Sequence, residues 1–126
     1  MPTTTWSTAR QEIVRPFGLV TGTVSAALEA DTALVDEDLT DAYSSNDFFN
    51  NNWHVLVTSG NNAGEARRVT DYVGSTGTLT VSKAWADDGS TLATFELTTL
   101  DPVHVLRAYN RARAIVWPWV GIVRDV

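Results

Sequence analysis

Between residues 53 and 98 the chain repeats one pattern, a short run of alternating apolar and polar residues ended by a cluster of turn formers. Trp53, Val55 and Val57 alternate with His54, Leu56 and Thr58, which is the period of a half-buried strand. Ser59-Gly60-Asn61-Asn62-Ala63-Gly64 then turns the chain, and residues 65–73 form the return. Gly74-Ser75-Thr76-Gly77 makes a tight hairpin into residues 78–82, where Leu79 and Val81 share a face. After the turn Asp87-Asp88-Gly89-Ser90, Ala93, Phe95 and Leu97 alternate with Thr94 and Glu96. The pattern reads as four antiparallel strands from Trp53 to Thr98. They predict a small β-barrel or sandwich.

The flanks differ from this centre. Trp6, Ala9, Arg10 and Ile13 fall at helical spacing, with Thr5 or Ser7 as N-cap. The Arg15-Pro16 step ends that helix, because the residue before proline is pushed out of the α region. Residues 19–28 and 33–36 read as two further strands. Residues 37–52 (EDLTDAYSSNDFFNNN) read as a loop, since Asp, Asn and Ser side chains compete for backbone hydrogen bonds, with Phe48 and Phe49 pinning it to the core. Asp101-Pro102 is a cap followed by proline at the first helical position. Val105, Ala108, Tyr109, Ala112 and Val116 continue at helical spacing, and Pro118 is expected to stop or kink the helix.

The expected architecture is therefore mainly β, a small antiparallel barrel or sandwich with a short N-terminal helix and a C-terminal helix. It is one domain over residues 1–126, divided into a helical arm (1–17), a β domain (18–100), a helix (101–118) and an apolar tail (119–126). At this length roughly two-thirds of the unfolded surface is buried, enough without staples.

Composition narrows the chemistry. With no Cys, the chain has no disulfides, thiolate metal sites or Cys nucleophiles. No apolar run approaches the roughly 18 residues of a membrane span, and the first six residues are too polar for a signal peptide. The net charge of −6 argues against general nucleic-acid binding, whose affinity comes from neutralising phosphates. His54 and His104 are the two imidazoles, and neither accompanies a nucleophile elbow. The pairs Asp36/Asp38 and Asp87/Asp88 lie in turn sequence, where Asp is expected for backbone reasons. Asp36-Glu37-Asp38 with Asp41 offers oxygen ligands but lacks the EF-hand spacing. No catalytic, cofactor or metal site is expected.

Charge is unevenly divided. Residues 1–101 carry five basic and fourteen acidic residues, a net of −9, whereas residues 102–126 carry four Arg against Asp125, a net of +3. Acid concentrates in Glu29, Asp31, Asp36, Glu37, Asp38, Asp41 and Asp47 with no basic residue between them. This block is either a solvated loop face or one half of a contact with a basic surface on a neighbouring copy. The candidate interface residues are Arg107, Arg111, Arg113, Trp117 and Trp119 on one side and Asp36, Asp38 and Asp41 on the other. The Trp117/Trp119 pair either docks onto a partner subunit, as exposed apolar patches commonly do, or packs back on its own domain.

Residues 52–97, NWHVLVTSGNNAGEARRVTDYVGSTGTLTVSKAWADDGSTLATFEL, resemble a module of tailed-bacteriophage structural proteins. Ser59, Gly60, Gly64, Arg67 or Arg68, Val69, Asp71 and Tyr72 match its first hairpin. Gly74, Gly77, Thr78, Leu79, Thr80, Val81, Ala84 and Trp85 match its second part. The preceding SNDFFNNN is similar to its introductory loop, and the helix with Asn110-Arg111-Ala112 resembles the one that follows it in head–tail connector and minor tail proteins. The resemblance covers roughly the last 75 residues. It implies a non-enzymatic virion component, most simply a neck or head–tail connector subunit in a homo-oligomeric ring. Its partners would be portal, neck or tail subunits, with no membrane and no specific nucleic acid. The alternatives are a capsid cement protein using residues 1–17 as a contact arm, and a carbohydrate-binding module of a tail fibre presenting Trp53 with Tyr72.

Overall fold

The computed structural model describes residues 6–26, 28, 31–50, 52–87 and 92–124, with the side chains of the last helix described through Ile115. In chain order the elements are α1 (Trp6–Val14), a 3-10 turn (Arg15–Phe17), β1 (Leu19–Thr23), β2 (Ala33–Val35), α2 (Leu39–Ala42) and β3 (His54–Val57). There follow β4 (Ala66–Val73), β5 (Thr78–Val81), β6 (Thr94–Thr98) and α3 (Pro102–Arg124). The molecule is mainly antiparallel β, as the strand pattern predicts. The six strands form one sheet in the order β1-β6-β3-β4-β5-β2. It curls into a half-barrel whose outer strands approach each other just beyond β1, where Ser25 N–H donates to Val35 C=O at 2.7 Å.

The concave side holds the core. Val55 and Val57 of β3, Val69 and Tyr72 of β4, Leu79 and Val81 of β5, and Phe95 and Leu97 of β6 are all buried there. Val69 and Tyr72 both point inward although three residues apart, because the ladder slips between Val69 and Asp71. A bulge of this kind resets the alternation of a strand. The turns need left-handed backbone at Gly60, Gly64 and Gly77. At Gly77 a Cβ would also run into the Asp36 carbonyl oxygen.

Several expectations change on contact with the structure. The first strand ends at Thr23 rather than residue 28, because the chain then trades its β6 partner for β2. The stretch 37–52 is not all loop: Leu39–Ala42 makes one helical turn, and buried Leu39 fixes it to the core. Phe49 is fully buried, in ring contact with Tyr43, Trp53 and Tyr72, while its neighbour Phe48 stays 48% exposed. Only one of the two Phe side chains therefore reaches the core. α3 runs through Pro118 to Arg124, so the helix is longer than 101–118 and most of the tail belongs to it. The missing proline N–H leaves one carbonyl free, that of exposed Ala114, which water can satisfy. Thr5, Glu29, Asp125 and most of the turn 87–90 lie outside the described residues.

Candidate interaction surface

Both terminal helices lie over the convex face of the sheet, against β3 and β6. Leu56 of β3 lines a space of about 300 Å³ with Trp6 and Arg10 of α1 and Pro102, Val103 and Leu106 of α3. This cover explains why β6 is buried on both faces from Phe95 to Thr98. Glu96 points to the convex side, where solvent would be expected for an alternating strand, and is 3% exposed. Arg10 answers it with two bonds, Nε to Oε2 at 3.0 Å and Nη2 to Oε1 at 2.8 Å. Gln11 Nε2 adds a third at 2.7 Å. The parallel fork of guanidinium and carboxylate fixes α1 in position and orientation. The Arg10 guanidinium also stacks over Trp6, 5.7 Å from the ring centroid, and Trp6 meets Tyr109 of α3 at 4.9 Å. Sequence reasoning missed this pair; the one available signal was that two terminal helices need an outer strand face to cover.

α3 starts as its sequence dictates. Asp101 Oδ1 accepts from Val103 N–H at 2.9 Å, and Asp101 C=O accepts from Val105 N–H at 3.0 Å. Val105 and Pro102 are buried against the body, and Tyr109 is half-buried. Beyond Tyr109 the helix loses its support: Asn110, Arg111, Ala112, Arg113, Ala114 and Ile115 are all exposed, Ile115 by 67%. Six consecutive residues cover every face of a helix with 3.6 residues per turn. The helix has therefore left the body by this point.

A groove of about 670 Å³ follows the side of α3. His54, Leu100 and Asp101 line it, and Ile13, Val105, Ala108, Tyr109 and Ala112 make its apolar wall. Both histidines line this groove. His54 is held below the ordinary imidazole range, first by burial; Arg68 and His104 act the same way, while Asp101 opposes. His104 is exposed, its Nδ1 4.0 Å from Asp101 Oδ2. Among the described residues no group of three or more His, Asp or Glu is placed to hold a metal ion.

The predicted interface residues divide. Arg107, Arg111 and Arg113 are exposed on α3, and Asp38 and Asp41 are exposed around α2. Asp36 is not on the surface: it is 2% exposed, its Oδ1 accepting from Asp38 N–H at 3.0 Å, and its Oδ2 presses on the place where a Gly22 Cβ would stand. Burial raises its pKa above the usual carboxylate range, with Asp38 adding to the effect and the Asp38 N–H opposing it. The reason is positional, since Asp36 directly follows β2 and turns inward where that strand meets β1. The side chains of Trp117 and Trp119 lie outside the described residues.

The aromatic pair suggested for sugar stacking is not presented. Tyr72 is 0% exposed with its hydroxyl donating to Tyr43 C=O at 2.6 Å, and Trp53 is packed against the core. Residues 6–17 do not form a free arm either, because Arg10 is tied to Glu96. Among the described residues no helix is long and apolar enough to cross a membrane. Comparison with family models, curated proteins and solved structures gives no match to this chain.

Proposed function

We propose that this chain is a non-enzymatic structural subunit of a tailed-phage virion, a neck or head–tail connector protein that docks α3 onto the portal or an adjacent ring subunit. The observation that carries the docking role is the all-round exposure of α3 from Asn110 to Ile115. A helix of 23 residues is about 34 Å long. An isolated helix end gains little stability by itself; most helical stability in proteins comes from packing an apolar face. In sequence the apolar series of α3 continues past its last described contact, through Ile115, Val116, Trp117, Trp119 and Val120. A surface for another polypeptide accounts for a series of that kind. The phage context comes from the resemblance of residues 52–97 and of the following helix to virion modules.

The body suits such a role. A six-stranded half-barrel, with α1 tied to β6 by a bidentate ion pair, is the base from which α3 departs. The test is the protein content of particles made by the replicon that encodes the chain. Peptides of this protein in purified particles, at the low copy number of a ring, and their loss when α3 is truncated after Tyr109, are expected. Absence from particles overturns the proposal. Presence at one copy per capsomer would replace the connector by the capsid cement reading.

A further inference from the structure

We infer that copies of this chain associate head to tail, the acidic turn around α2 of one copy seating against α3 of the next. The inference rests on α3 being a docking helix and gives it a second copy as occupant. Arg107 and Arg111 are one helical turn apart and exposed, and each precedes by one position a residue of the groove wall, Ala108 and Ala112. They therefore border the apolar groove on its solvent side. Neither has an ion-pair partner among the described residues.

The complementary surface lies elsewhere on the same molecule. Glu37, Asp38 and Asp41 are all exposed, and Glu37 stands four residues before Asp41, the same interval that separates Arg107 from Arg111. These acids also lack ion-pair partners among the described residues. Beside them stands the exposed Phe48 ring, 5.0 Å from that of Tyr43, the residue that ends α2. An acidic turn with an apolar ring beside it thus matches a basic rim with an apolar groove beside it.

The two surfaces belong to opposite sides of the sheet. Leu39 and Phe49 anchor the acidic turn to the concave core, whereas α3 lies against Leu56 on the convex face. A contact between two different patches of like copies is heterologous, and it closes into a ring or runs on as a filament. Opposite charges at such a contact set its register and speed its formation.

Sedimentation velocity on the full chain over a range of concentrations tests this, at about 0.1 M salt, where charges reach about 10 Å, and at about 1 M, where they reach about 3 Å. Concentration-dependent oligomers at low salt that dissociate at high salt are expected. R107E/R111E and D38R/D41R should each weaken association on the order of tenfold or more, because like charges then face each other. Mixed in equal amounts, the two variants should reassemble, since each again meets its opposite. All four positions are exposed, so unchanged circular dichroism and Tm serve as the folding control. A monomer at every concentration, or a mixture that fails to reassemble, overturns the inference. Particle incorporation separates this failure from that of the docking role: if R107E/R111E is excluded from particles while D38R/D41R enters normally, α3 docks on a different polypeptide and self-association is wrong.

Discussion

The two halves of the sheet bury the same kind of strand in different ways. Beyond β4, toward β5 and β2, burial is one-sided: Leu79 and Val81 face the core while Thr78 and Thr80 stay half-exposed. At β3 and β6 the convex face is also covered, so strands with the same alternating sequence are buried on both sides. The polar positions of β6 thereby become interior positions, and Glu96 has to be neutralised where it stands. The contrast shows that alternation reports which side chains share a face. It does not report whether the second face meets water or a helix.

The largest effect should come from breaking the buried pair in the covered half. Removing one member of such a pair leaves a charge without compensation and costs about 3–5 kcal/mol. Glu96→Ala should lower the urea midpoint by a corresponding amount and loosen α1, seen as faster amide exchange over residues 6–14. Replacing both members, Arg10→Met with Glu96→Leu, should recover most of the loss, because neither charge is then buried. The exposed pair of the same helix, Arg15 Nη2 to Glu12 Oε1 at 3.7 Å, is the internal control. Glu12→Ala should change stability by less than about 1 kcal/mol. Equal losses at Glu96 and Glu12 would erase the distinction between the halves.

Next in size is a backbone effect in the one-sided half. Gly77 sits at φ 66°, and a Cβ there would press on the Asp36 carbonyl. Gly77→Ala combines a disfavoured left-handed conformation with overpacking, for about 1–3 kcal/mol by denaturant melts. Gly64, also left-handed at φ 91° but with open space around it, should lose less as Gly64→Ala. Smaller again is Tyr72→Phe, which keeps the ring among Phe49 and its neighbours and removes only the bond to Tyr43 C=O. A loss of about 0.5–1.5 kcal/mol is expected, the net worth of one hydrogen bond.

These positions also mark what the sequence could convey. The hairpins between residues 53 and 98 were legible because turn chemistry and alternation agree there, and the positive φ angles at Gly60, Gly64 and Gly77 fall inside the expected turns. The start of α3 at Asp101-Pro102 was legible for the same reason. Asp36 was misread because a run of acidic residues looks uniform in sequence, whereas its members are sorted by the path of the chain: Asp36 turns in, Asp38 and Asp41 turn out. The α2 turn was hidden because Leu39–Ala42 is a single turn among residues that favour loops, and tertiary burial of Leu39 decides it. Arg10 and Glu96 are 86 residues apart, and no local pattern joins them. For the candidate surface, the basic residues of α3 were readable as a cluster, but that the helix parts from the body after Tyr109 needed the fold.

The smallest effects are those of pH, and they should differ in sign between the halves. Asp36, beside β2, has its pKa raised by burial, so the folded chain holds a proton that the unfolded chain has released. Its contribution is fully present below the unfolded value of 3.8 and is lost as pH rises through the higher folded value. His54, under α3, has its pKa lowered by burial, so the folded chain resists a proton that the unfolded chain accepts. Its contribution is present above the unfolded value of 6.5 and is lost as pH falls through the lower folded value. Chemical denaturation at a series of pH values, taken as the difference between each variant and the parent, isolates the two. The advantage of Asp36→Asn over the parent should grow with rising pH in the acid range and then level off. That of His54→Gln should grow with falling pH below about 6.5. If both differences ran in the same direction with pH, burial would not be the dominant cause at one of the two sites, and the groove beside α3 would be wetter than its apolar wall implies.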